Sequence, residues 1–190
     1  MHPSPPQARD RFGIPEKLRT FGWFVKRPSF YPHLLALLAR KLTGSVRLEE
    51  HFEEAWAWAS ELAVPPKQAL CAVGHLDPRA ALPPGVPERL LAAAAEKAAS
   101  STVTMGGPGD LDLLYRAILL IRATRVIETG VAYGWSSLAA LAALRETRGR
   151  LASVDMPYPK TGNEPFVGVV VPDEWRARWT LIRQPDRNDL

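Results

Sequence analysis

Residues Arg125–Ser137 read R-V-I-E-T-G-V-A-Y-G-W-S-S. The β-branched pair Val126-Ile127 runs into Glu128 and a loop holding Gly130 and Gly134, and Ser136-Ser137 then open the alanine- and leucine-rich segment Leu138 to Leu144. This order predicts a strand, a ligand-binding loop and a helix. Glycine at 130 and 134 permits positive φ and lets a ligand approach the main chain closely. The helix start adds unpaired N–H groups and a positive dipole end. A plain strand-to-helix turn uses the same residue types, so the flanking chain has to decide between the two.

After the helix stops at Arg148-Gly149, the run Leu151-Ala152-Ser153-Val154 predicts a second strand ending in Asp155, 25 residues beyond Gly130. In a doubly wound sheet the carboxyl ends of these two strands lie side by side, and an acid there can accept both ribose hydroxyls of a nucleoside. An Asp closing a strand is also an ordinary turn former; the upstream loop favours the ribose role. A dinucleotide fingerprint G-x-G-x-x-G starting at Gly130 would need glycine at 132 and 135, where the chain has Ala132 and Trp135. Glu128 suits the cationic amino group of a methionine moiety and would repel a pyrophosphate. S-adenosylmethionine therefore fits the loop better than NAD.

The stretch E-T-G-V-A-Y-G-W-S-S with its downstream Asp155 resembles the first motif of class I S-adenosylmethionine-dependent methyltransferases, particularly the branch of catechol O-methyltransferase and small bacterial O-methyltransferases. The resemblance covers roughly residues 101–190. It implies that Glu128, Gly130 and Ser136 surround the methionine part of the cofactor, that Ala132 and Gly134 of the same loop belong to the cofactor site, that Asp155 holds the ribose, and that Met156 lies against adenine. Val103-Thr104-Met105-Gly106-Gly107 is similar to the segment that touches the cofactor from the opposite side in that family, which adds Met105 to the expected site.

Local patterning agrees with this placement. Asp110 is a good N-cap for a helix to about Arg122, with Leu111, Leu114, Tyr115, Ile118 and Leu119 at three- and four-residue steps. Pro172-Asp173-Glu174 can open a short helix after the Pro- and Gly-rich stretch from Met156. Thr180-Leu181-Ile182 reads as a third strand, and Asp186 falls where the family often contacts adenine. The resemblance implies seven strands, of which about three lie before Leu190, and it assigns most acceptor-site groups and any divalent-metal ligands to the later ones. No catalytic residue is nominated, and a divalent metal is left undecided. Glu164 and Asp173 read as solvated acids.

Residues 1–100 read as a helical extension. Pro32 opens a helix whose Leu34, Leu35, Leu38 and Leu42 share a face, closed by Gly44; Leu48, Phe52, Trp56, Ala59 and Leu62 mark a second, ending at Pro65-Pro66. Pro87 opens a third that runs to Ala99. Up to Arg47 the chain carries nine Lys and Arg against Asp10 and Glu16, although the whole chain has a net charge of only +4. Interleaved Phe21, Trp23, Phe24, Phe30 and Tyr31 raise the alternative of an anionic membrane or nucleic-acid surface. A basic solvated face over aromatic packing is the preferred reading, and nucleic acid is not an expected partner.

Composition bounds the rest. A hydrophobic fraction of 46% is ordinary for a globular protein, and the single cysteine, Cys71, rules out an internal disulfide. No run approaches the roughly 20 apolar residues of a membrane helix, and Pro3, Pro5, Pro6, Arg9, Asp10 and Arg11 do not form a signal-peptide pattern. The histidines lack metal-ligand spacing, and no G-x-S-x-G elbow is present.

The expected architecture is thus α/β: the first three or so strands of a Rossmann-like class I methyltransferase sheet at 101–190, behind a helical extension at 1–100. The expected reaction is methyl transfer from S-adenosylmethionine to a small-molecule hydroxyl in the cytoplasm. A noncatalytic fragment or binding module and an NAD(P)-dependent oxidoreductase are the alternatives, and homo-oligomerisation is left open. The 190 residues alone are expected to lack turnover.

Overall fold

The computed structural model describes residues 18, 21–22, 24–43, 52–156 and 162–183. Gly44, Leu48 and Asp186, used in the sequence reading, lie outside them. The chain divides into two compact units, Met1–Ala63 and Val64–Leu190.

The first unit carries helices α1 (Tyr31–Thr43) and α2 (Phe52–Leu62), with a 3-10 turn at Pro28–Phe30 leading into α1. The helix therefore starts one residue before Pro32, which sits in its first turn, where a missing N–H costs nothing. Phe24 and Phe30 are buried, and the Phe24 ring stacks on His33 at 6.1 Å between centroids. Tyr31 stays largely exposed and donates its hydroxyl to the Val25 carbonyl. Leu35, Leu38 and Leu42, expected on one apolar face, are all exposed.

The second unit carries α3 (Pro66–Ala72), α4 (Glu88–Ala99), α5 (Leu111–Leu120), β1 (Arg125–Thr129), α6 (Trp135–Glu146), β2 (Arg150–Val154) and β3 (Trp179–Ile182). It begins well before residue 101, where the sequence reading draws its boundary. The reason is packing: Ala94 of α4 belongs to the core, with Leu90, Leu91 and Ala98 against it. Periodicity did not reveal α3, a seven-residue helix opened by Pro66, because two turns are too short to establish a period.

All three strands are parallel and ordered β1-β2-β3, with Val126 beside Leu151 and Leu151 beside Trp179. Parallel neighbours need crossover connections, which α6 and the 3-10 turns at Glu164–Phe166 and Asp173–Arg178 supply. This is the Rossmann-like α/β arrangement. Asp110 caps α5 as expected, accepting the Leu113 N–H at 2.9 Å, and Leu111, Tyr115 and Ile118 face the core. Helix α6 is buried on every side from Ser137 to Leu144, which explains why its apolar residues show no helical stripe.

Register assigns the side chains to two faces. Val126, Glu128, Leu151, Ser153, Trp179 and Leu181 share the face that meets α6, because Ser137 of α6 reaches Glu128. Ile127, Ala152 and Thr180 share the other, where Ile127 is 67% exposed. Among the described residues β1 pairs along one edge only.

Candidate ligand cleft at the strand ends

The loop between β1 and α6 contains three left-handed residues in five: Gly130 (φ 77°), Ala132 (φ 50°) and Gly134 (φ 89°). An L-residue in that region costs roughly 1–2 kcal/mol, so the Ala132 conformation is sustained by its surroundings. The Ala132 carbonyl accepts the Gly168 N–H at 2.9 Å, and the Tyr133 carbonyl accepts the Val170 N–H at 3.1 Å. The two glycines serve different ends. A Cβ on Gly134 would lie 2.9 Å from the Gly168 Cα, so close packing requires it, whereas a Cβ on Gly130 would meet nothing within 4 Å. Open space above Gly130 is where a ligand can approach the main chain.

Glu128, at the end of β1, is the centre of a hydroxyl cluster. Its carboxylate accepts from Ser136 Oγ at 2.5 Å, Ser137 Oγ at 2.6 Å and Ser153 Oγ at 2.6 Å, while Trp179 Nε1 donates to Ser153 Oγ at 2.8 Å. A carboxylate offers about four acceptor positions, so three hydroxyls leave about one. One acid thereby joins all three strands to the start of α6. Ser137, Ser153 and Trp179 were not singled out as site residues in the sequence, since nothing local marks a partner on another strand.

Asp155 leaves β2 beside the loop, and its backbone N–H donates to the Ile182 carbonyl. It is 5% exposed, and Oδ1 accepts the Val131 N–H at 2.8 Å. Its second oxygen is held by Arg183 Nη1, and Arg183 Nη2 reaches Glu164 Oε2 at 2.7 Å. Glu164, read as a solvated acid, is therefore ion-paired; Asp173, read likewise, pairs with Arg176 at 2.9 Å on the surface. Arg183 escaped the sequence reading. The available signal was its position directly after β3, at the same sheet end as Asp155.

Tyr133 brings the upstream segment to the loop. Its hydroxyl donates to the Val103 carbonyl at 2.5 Å and accepts the Met105 N–H at 3.3 Å. Met105 packs against the core, and the neighbouring Gly106 lies beside Ala132. The segment with Met105 and the loop with Gly130 and Ala132 are thus in contact, as are Glu128 with Ser136 and Asp155 with Val131. Met156 follows Asp155 and is half-buried. Among the described residues no three His, Cys, Asp or Glu side chains gather as a metal cage, and no helix is long and apolar enough to cross a membrane.

No protein-family model matches the chain, and no curated protein matches it. Among solved structures, an SAH-bound methyltransferase of Podospora anserina, PaMTH1, is similar at 16% identity with a TM-score of 0.43. The match covers 67% of this chain and 53% of that one, so the chain spans about half the length of that protein.

Proposed function

We propose that the protein binds S-adenosylmethionine at the carboxyl ends of β1 and β2 and serves methyl transfer to a hydroxyl of a small molecule. The observation that carries this reading is the juxtaposition of the left-handed loop Gly130–Gly134, open above Gly130, with the carboxylate of Asp155. The remaining acceptor capacity of Glu128 and the Ser136 hydroxyl would take the ammonium of the methionine moiety. Asp155 would accept the ribose hydroxyls, Met156 would lie against adenine, and Met105 would close the site from the other side. Gly130 and Ala132 would supply the close main-chain approach, with Gly134 seating the loop against Gly168.

Bound there, the cofactor would supply a methyl group on a sulfonium, activated for in-line displacement by an acceptor oxygen. The chain's own contribution is positioning, which lowers the entropic barrier to encounter. Trp135 and Glu128 argue against a dinucleotide, since indole stands where the fingerprint needs glycine and a carboxylate faces the place of a pyrophosphate. A small-molecule acceptor and a cytoplasmic setting belong to the same proposal; nucleic acid does not. Calorimetric titration with S-adenosylhomocysteine and, separately, NAD tests it. Saturable heat with S-adenosylhomocysteine and none with NAD is expected; the reverse pattern would remove the methyltransferase reading.

A further inference from the structure

The acid that the nucleoside reading depends on is already occupied. Asp155 is buried, one oxygen takes the Val131 N–H, and the other is held by the guanidinium of Arg183. A ribose diol would have to donate where Arg183 now donates. The same guanidinium has a second anchor, Glu164, whose side chain is 51% exposed. Arg183 thus bridges a buried acid on the sheet and a solvent-facing acid on the segment that crosses toward β3.

We propose that Arg183 is a latch on the ribose subsite: in the unliganded chain it covers the Asp155 carboxylate, and nucleoside binding displaces it outward onto Glu164. This rests on the reading of Asp155 as the ribose acceptor and adds a regulation of that site. Physical asymmetry between the two pairs supports it. An ion pair exposed to water contributes little, whereas a buried carboxylate needs a donor at all times. Ribose hydroxyls can replace the guanidinium at Asp155, so the exchange leaves no buried charge without a partner. Glu164 remains available to hold the released arginine.

A closed latch lowers apparent affinity by the fraction of chains in which the site is open. Arg183→Met keeps the side chain's bulk, removes the competing donor and should tighten S-adenosylhomocysteine binding by about tenfold, the equivalent of one charge-assisted hydrogen bond no longer broken on binding. Glu164→Gln removes the outward anchor and should weaken binding by a few-fold. In an Asp155→Asn background, Arg183→Met should have no effect, because the latch then has no carboxylate to cover.

Calorimetry on the folded 190-residue chain and these variants, with S-adenosylhomocysteine as the probe and circular dichroism confirming the fold, decides the matter. Tighter binding by Arg183→Met that vanishes in the Asp155→Asn background supports the latch. Wild-type binding that Arg183→Met leaves equal or weakens overturns the latch and leaves the nucleoside reading standing. No binding by either folded protein overturns both.

Discussion

The two faces of the same three strands are built on different terms. On the face toward α6, every polar side chain is matched: Glu128 gathers three serine hydroxyls, and Ser153 also accepts from Trp179. On the other face Ile127 lies 67% exposed, with Thr180 exposed on β3, and Val154 at the end of β2 is the buried residue of that face. The contrast teaches that the covered face fixes the geometry of the strand ends, because the groups that hold the ligand loop all originate there or lean on it. Changes on that face should reach the cleft, and changes at Ile127 should not.

The sharpest way to break the comparison is Glu128→Ala. Removing the acid leaves three hydroxyls to find other partners in a largely buried place, with an expected loss on the order of 3 kcal/mol in denaturant unfolding. Ile127→Thr on the open face should stay within about 0.5 kcal/mol. Comparable losses for the two would erase the distinction between the faces.

Gly168→Ala probes the covered face from its other side. A Cβ there would sit 2.3 Å from Trp179 Cη2, at a φ of +69°, so overpacking and backbone strain combine. The expected cost is about 2–3 kcal/mol. Because the Gly168 N–H also holds the Ala132 carbonyl, cofactor affinity should fall with stability. A variant with wild-type stability would show that the crossing segment does not clamp the loop.

A smaller effect concerns Tyr115 of α5. Burial, aided by the charge of Glu146, raises its phenol above the ordinary value of 10.0. The folded chain then holds a proton that the unfolded chain releases. This contribution is complete below pH about 10 and is lost as pH rises through the elevated folded value. Thermal midpoints measured from pH 9 upward should fall less steeply in Tyr115→Phe than in the wild type. Parallel profiles would mean that Tyr115 is not the group responsible.

Much of this was legible because it is written in local chemistry. The Asp110 cap, the spacing from Leu111 to Leu119, the loop after β1 and the acid closing β2 each depend on residues a few positions apart. The parallel order followed from alternating strand and helix signals. What remained hidden is non-local. Ser153 meets Glu128 across 25 positions, Arg183 meets Asp155 across 28, and Tyr133 reaches back 30 to Val103. No periodicity encodes such pairs, since each is created only when parallel register brings distant strand ends together. The compact units divide at Ala63 and not near residue 100 for a related reason: Tyr133 and the buried Ala94 draw the chain on both sides of Ala99 into one core.

The central claim is that the strand ends at β1 and β2 form a nucleoside cleft with Asp155 as its ribose acceptor. The most direct test compares S-adenosylhomocysteine affinity in the wild type and in folded Asp155→Ala. Loss of the ribose hydrogen bonds should weaken binding by at least about tenfold, net of any gain from releasing Arg183. Unchanged affinity in the folded variant would place the ribose elsewhere and contradict the account.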